Sequence, residues 1–421
     1  MRVLIVNTSE KTGGAAIAAN RLMETLNNNG VKAKMLVRDK VTERITVAAL
    51  PKSRMHRMRF LWERLAIWKA NSFKKHHLFY VDIANAGADI TSLPEFKEAD
   101  IIHLHWINQG FLSLDGIRKI IASGKPVVWT MHDMWPFTGI CHHSDDCERF
   151  QQECHHCPLL YKGGAHDLSY RVFQKKKNLF RNAHITFVAC SQWLEKRAKQ
   201  SALLIGQRIV TIPNPINSVI FKPESKEEAR LKFNLPEKKR LILFGSVKTT
   251  DKRKGIDYLI EACRILKEQY AGLSEQLGVV IVGNGADQLR DSLPLPTYSI
   301  DYVADEKRMA TLYNAVDLFV TPSLQENLPN TIAEAMACGT PCVGFRVGGI
   351  PEMIDHLENG YVAEFKDASD LAKGMAYVLT EADYQEMSRA AVRKAGLAYS
   401  ERHVAMKYIN IYNQTTDKAK A

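Results

Sequence analysis

Ser323-Leu324-Gln325-Glu326-Asn327-Leu328-Pro329-Asn330-Thr331-Ile332-Ala333-Glu334-Ala335-Met336-Ala337-Cys338-Gly339-Thr340-Pro341 is the stretch from which the fold is read. Pro329 and Asn330 are good helix-opening residues, Ile332 to Cys338 is an Ala-rich buried pattern, and Gly339 with Pro341 stops it. Apolar, strand-like runs flank it, Ala315 to Val320 before and Pro341 to Phe345 after. A strand, a loop, a helix and a second strand in that order describe a parallel α/β unit. Its helix opens at the carboxyl end of a strand, where open α/β sheets take ligands and helix amides favour phosphate. Glu326 and Glu334 stand eight positions apart across that opening. A continuous helix would separate them by roughly 12 Å, about the reach of a nucleoside diphosphate sugar. An ordinary amphipathic helix with one exposed and one capping glutamate fits the spacing equally well.

The same alternation extends outward in both directions. Strand-like runs at 2–7, 34–38, 101–105, 126–131 and 185–190 alternate with helical patterns such as 15–28. A turn-rich connector, Ile212-Pro213-Asn214-Pro215-Ile216-Asn217, follows. A second series then runs through 240–244, 279–282, 298–301, 318–321, 341–345 and 360–362, and the chain is helical from Ala368. This spacing predicts two Rossmann-like α/β halves: residues 1–213, 214–395, and a final helix over 396–421. At 421 residues there is enough chain for two cores.

Glu326-x7-Glu334 followed by Ala-Met-Ala-Cys-Gly-Thr-Pro resembles the donor-site motif of family 4 (GT4) retaining glycosyltransferases. The resemblance covers essentially the whole chain and is stronger in its second half. It implies a GT-B fold, two Rossmann-like domains facing across a cleft, with the last helix crossing back to the first domain. It implies a hexosyltransferase moving sugar from a nucleoside diphosphate to an acceptor hydroxyl with retention of configuration. In that family the first glutamate lies near the transferred sugar and the second holds the ribose. Glu334 would thus hold the ribose, and Lys254 with amides around Asn330 and Thr331 the diphosphate. His132, which aligns with the family's cleft histidine, would position the sugar together with Glu326. Asp133 would fix that imidazole or serve as the acceptor's base. Gly13 and Gly14, in Lys11-Thr12-Gly13-Gly14-Ala15-Ala16, would border acceptor and phosphate, although a tight strand-to-helix turn also calls for glycine. Many family members carry arginine directly after the strand glycine, where this chain has Ser246; Lys248 and Arg253 are the candidate substitutes. No Asp-x-Asp triplet occurs, so no catalytic metal is expected.

Half of the eight cysteines fall in Cys141-x5-Cys147-x6-Cys154-x2-Cys157, with His142, His143, His155 and His156 among them. Four thiolates at these spacings suit a structural zinc closing an insert over about 141–157. Reduced cysteines beside incidental histidines suit a cytoplasmic chain as well.

Composition, 46% apolar and 24% charged, is that of a globular domain, and no run approaches the roughly twenty apolar residues of a membrane span. Met1 to Asn7 is too short for an export signal and reads as a strand, so the expected compartment is the cytoplasm. The net charge of +11 asks for acidic partners. Nucleic acid is excluded by the want of aromatic RNA-binding patterns or a helix-turn-helix. The charge gathers in residues 51–77: Lys52, Arg54, Arg57, Arg59, Arg64, Lys69, Lys74 and Lys75 against Glu63 alone. Met55, Met58, Leu61, Trp62, Leu65 and Trp68 recur among them at helical spacing. Two readings stand: a core helix with a solvated basic face, or a peripheral contact with an anionic inner-membrane face. The second matches a lipid-linked oligosaccharide acceptor in cell-surface polysaccharide synthesis. Two other functions are weighed, a nucleotide-sugar 2-epimerase of the same fold and a non-enzymatic zinc-containing binding protein.

Overall fold

The computed structural model describes residues 1–51 and 53–420, with 417–420 described by backbone alone; Lys52 of the basic segment and Ala421 lie outside the described residues. Two compact units form, Met1–Pro215 with Val404–Ala421, and Ile216–His403.

The first unit holds a seven-stranded sheet: β1 (Arg2–Ser9), β2 (Lys32–Asp39), β3 (Val47–Ala49), β4 (Ile101–Leu104), β5 (Val127–Met131), β6 (Ile185–Ala189) and β7 (Arg208–Thr211). Their order is β3-β2-β1-β4-β5-β6-β7, every pair parallel. β1 lies between β2 and β4, with Val3 opposite Ala33 on one side and Ile101 on the other. Strand alternation divides its side chains between two cores. Leu4 and Val6 join one built around Trp129, Trp135 and Phe173. Val3 and Ile5 join the other, which the chain's last helix, Glu401–Lys420, closes with Val404, Tyr408, Ile411 and Tyr412.

The second unit holds six parallel strands: β8 (Arg240–Lys248), β9 (Leu277–Asn284), β10 (Thr297–Ile300), β11 (Leu318–Thr321), β12 (Cys342–Phe345) and β13 (Gly360–Ala363). The order is β10-β9-β8-β11-β12-β13. β11, β12 and β13 are buried at every residue, as strands covered on both faces must be. In each sheet the order reverses beside the first strand, between β1 and β4 and between β8 and β11. Those switch points are where ligand crevices open in this class of fold.

The strands expected from sequence occur within a few residues of their expected limits. The strand expected from Ala315 begins at Leu318, because Ala315 closes the helix Glu306–Ala315. β3 and β7 were not expected. They are short edge strands of three and four residues, neither of them buried throughout. Near the C-terminus the helix Tyr384–Tyr399 runs through residue 396, and the break before the last helix falls at Ser400.

Candidate active site

In the second unit two loops meet at the β8/β11 switch point. After β8 a short turn, Lys252–Lys254, leads through Gly255 into the helix Ile256–Gln269. Gly255 has φ +74°, and a Cβ there would stand 1.7 Å from the carbonyl oxygen of Pro322 just after β11, so only glycine allows this approach. Leu324 N–H donates to the Arg253 carbonyl at 2.8 Å and ties the loops together.

The Lys254 ammonium forms an ion pair with the Glu326 carboxylate, which also accepts from Ser323 Oγ at 3.2 Å. The sequence thus brings its expected phosphate lysine and its sugar-side glutamate directly together. Glu334 is buried one helical turn into Asn330–Ala337, and its Oε2 accepts from Tyr313 Oη at 3.0 Å. Burial, and then that carboxylate, push the Tyr313 hydroxyl well above the usual tyrosine range. The helix begins at Asn330 with no side-chain cap, so Glu326 lies in the loop before it. The continuous helix that would separate the glutamates by a simple rise does not form, because Pro329 sets the helix start. Asn330 and Thr331 occupy the first turn.

The two candidates for the missing arginine differ. Arg253 is held by Asp251, through Nε at 3.1 Å and Nη2 at 2.7 Å. Lys248 is exposed at the end of β8 and makes no salt bridge among the described residues.

In the first unit Gly13 has φ +90° and opens the helix Gly14–Asn28, which carries no side-chain cap. Both glycines are exposed. His103 on β4 bonds Tyr412 Oη through Nδ1 and Thr130 Oγ1 through Nε2, each at 2.7 Å. Its burial holds it to about 3, so it is a neutral core group that fastens the last helix. Two residues on, His105 Nδ1 lies 2.9 Å from His132 Nε2, the rings stacked at 5.1 Å. The other His132 nitrogen faces Cys190 Sγ at 3.7 Å. Burial lowers His132 to about 4, so its imidazole is neutral at pH 7. Both ring nitrogens are turned to protein partners, and a bond to a sugar would replace one of these.

Asp133 is held by a set of partners of its own. Its Oδ2 accepts from Trp106 Nε1 at 2.9 Å and meets His142 Nδ1 at 2.7 Å, and its Oδ1 accepts from Trp135 N–H at 2.9 Å. Burial opposes its charge, but His142 and these donors hold the carboxyl down to about 2, which makes it a weak base. His142 Nε2 reaches Asp82 Oδ2 at 2.7 Å. Although burial disfavours the imidazolium, Asp133 and Asp82 raise His142 to about 10. Sequence reading passed over Asp82 and treated His142 as part of the cysteine cluster. Only spatial proximity joins positions 82, 133 and 142.

Cys141, Cys147, Cys154 and Cys157 are free thiols. Among the described residues no three His, Cys, Asp or Glu side chains are gathered as a metal-binding group. Burial pushes Cys154 up to about 12 and Cys157 to about 11. The buried Lys176 ammonium lies over the Trp135 ring at 3.4 Å and donates to the carbonyls of Trp135 and Thr138.

Residues 12–219 match glycosyltransferase family 4, and residues 225–395 match glycosyl transferases group 1. A D-inositol 3-phosphate glycosyltransferase of Thermobispora bispora is 32% identical over 44% of this chain and 46% of its own length. An uncharacterized glycosyltransferase of Methanocaldococcus jannaschii is 26% identical over 79% of this chain and 89% of its own. The chain spans about half the length of the first curated relatives it matches. Among solved structures, sucrose-phosphate synthase from Thermosynechococcus elongatus aligns with TM-score 0.68 at 17% identity, over 98% of each chain. Anabaena HepE in complex with UDP aligns with TM-score 0.64 at 16% identity, over 98% of this chain and all of its own. These likenesses assign the GT-B fold.

Proposed function

This chain belongs to the group 1 and family 4 glycosyltransferases, and on that premise we propose that it transfers a hexose from a nucleoside diphosphate sugar to an acceptor hydroxyl with retention. The observation that carries this reading is the meeting of Lys254 and Glu326 beside the Glu334 helix at the β8/β11 switch point. Lys254 and the first amides of that helix take the diphosphate, Glu334 the ribose, and Glu326 the sugar. Lys248, rather than the Asp251-bound Arg253, supplies the second cation. Gly13 and Gly14 offer amides to phosphate or acceptor, and His132 orients the sugar as a neutral donor or acceptor of a hydrogen bond. A structure of HepE holds UDP-glucose, which favours uridine as the base.

With no covalent nucleophile assigned, the reaction is a same-face displacement. The anomeric C–O bond to the diphosphate breaks, the acceptor oxygen bonds the same face, and its proton passes to the departing phosphate oxygen. An electrostatic site of this kind acts by stabilising charge on the leaving group and the sugar. The acceptor we infer is a lipid-linked oligosaccharide of polysaccharide synthesis at the cytoplasmic membrane face. For Cys141, Cys147, Cys154 and Cys157 a structural zinc remains our reading of their spacing, and metal analysis well below one zinc per chain would end it.

The test is a melting-temperature panel with UDP, GDP, ADP and dTDP. Nucleotide at a hundred times its dissociation constant adds about 2.7 kcal/mol, a clear rise in Tm. UDP should stabilise the wild type and not Glu334→Ala. No shift with any nucleotide would overturn the donor-site reading.

A further inference from the structure

The helix Met55–Ala70 is seated with one ion pair, Glu63 and Arg64, turned inward. Its buried residues are Glu63, Arg64 and Ile67. Glu63 Oε1 accepts from the backbone N–H of Ile83 at 2.8 Å and of Ala84 at 2.7 Å. Arg64 Nη1 donates to the carbonyls of Leu78 at 2.6 Å and Val81 at 3.1 Å, and its Nη2 pairs with the Asp82 carboxylate. A buried charge is tolerated only when it is paired and hydrogen-bonded, so these partners fix the rotation of the helix about its axis.

The consequence lies on the opposite side. Trp62 is 60% exposed, Met58 59% and Leu61 51%, and Leu65 is also exposed. With Met55 and Trp68 they line an open groove of about 750 Å³, to which Arg59, Arg64 and Lys75 also contribute. Isolated exposed apolar residues are ordinary, but a contiguous patch of this kind marks an interaction surface. Arg54, Arg57, Lys69, Lys74 and Lys75 are exposed around it, while the one acid of residues 51–77 is the buried Glu63. Among the described residues no helix is long and apolar enough to cross a membrane.

We propose that the outward face of the Met55–Ala70 helix docks on an anionic lipid bilayer, Met58, Leu61, Trp62 and Leu65 entering the headgroup layer while the flanking lysines and arginines meet lipid phosphates. Charge complementarity commits the surface to this occupant. The charged side chains among its lining residues, Arg59, Arg64 and Lys75, are all cations, and tryptophan with long cationic side chains suits a boundary that is apolar on one side and wet on the other. The proposal deepens the membrane-side acceptor reading and rests on it for its purpose, but its evidence is this helix alone.

The full chain is sedimented with phosphatidylcholine vesicles, with and without about a third phosphatidylglycerol. Binding to the anionic vesicles alone is expected, weakened at least tenfold in molar salt, where the screening length falls to about 3 Å. Trp62→Ser with Leu65→Ser, and Arg57→Glu with Lys69→Glu, should each abolish sedimentation and leave the UDP melting shift unchanged. Equal binding to neutral vesicles, binding to neither, or retention of either double variant overturns the proposal; an acidic protein partner would be the reading left by the second of these. Loss of the UDP shift with intact vesicle binding would remove the donor reading and leave this surface standing.

Discussion

Replacing Gly348 by alanine tests the loop that presents Glu326. Gly348 has φ +57°, and an added Cβ would stand 1.9 Å from the Glu326 carbonyl oxygen, where real Cβ contacts stay beyond 3.0 Å. One of the two backbones must therefore retreat by about an ångström, straining the bond from Gly349 N–H to the Asn327 carbonyl at 2.7 Å. The left-handed backbone itself costs alanine about 1 kcal/mol. Overpacking adds about 1–3 kcal/mol, for a total of roughly 2–4 kcal/mol. An ångström of misplacement at a reacting group costs about a hundredfold in rate. Gly124→Ala is the matched control, since Gly124 has φ +73° with nothing within 4 Å of the added Cβ. It should lose only about 1 kcal/mol and no activity. Urea unfolding of both variants, with sugar-nucleotide turnover measured beside it, separates the two contributions. If Gly348→Ala proves no less stable than Gly124→Ala and keeps wild-type turnover, the argument that glycine is needed to seat Glu326 is refuted.

Three other expectations follow from the same geometry. His142→Gln leaves the buried Asp133 without its cation, while Asp82 keeps Arg64, and should cost about 3–5 kcal/mol near neutral pH. Because His142 titrates at about 10 when folded, above its ordinary value, its stabilisation is complete below about pH 6.5 and fades as pH rises through 10. Unfolding free energies across that window should therefore converge between wild type and variant, and divergence with rising pH would reverse the assignment. Glu326→Gln removes a part-exposed ion pair, so stability should change by less than about 1 kcal/mol. Turnover should nonetheless fall about a hundredfold or more, as measured by nucleotide release with donor and acceptor. Deleting residues 401–421 uncovers the sheet face closed by Val404, Tyr408, Ile411 and Tyr412. Four such side chains contribute roughly 6–12 kcal/mol, so the truncated chain should fail to give a cooperative melt.

Much of the architecture is readable along the chain because strands buried on both faces leave continuous apolar runs, as in Val127–Met131 and Leu318–Thr321. β3 and β7, neither of them buried throughout, were not marked as strands. At the second unit's switch point residues 326, 330 and 334 are neighbours in sequence, while Lys254 comes from the loop after β8, the strand paired with β11. The first unit behaves differently. There Asp133 reads as a candidate base, yet His142 and the Trp135 N–H hold its carboxyl too low for that work. The same holds for Arg253, whose charge is already answered by Asp251.

By itself the sequence determined two parallel α/β units and the family, because apolar periodicity and motif spacing are properties of neighbouring residues. Only the tertiary structure decided which way the Met55–Ala70 helix faces. Periodicity shows that such a helix has two sides but not which is turned inward. That choice was made by backbone groups at Leu78, Val81, Ile83 and Ala84 and by the Asp82 carboxylate. They offer Glu63 and Arg64 the buried hydrogen bonds that their charges require, and the tryptophan face is left to the surface.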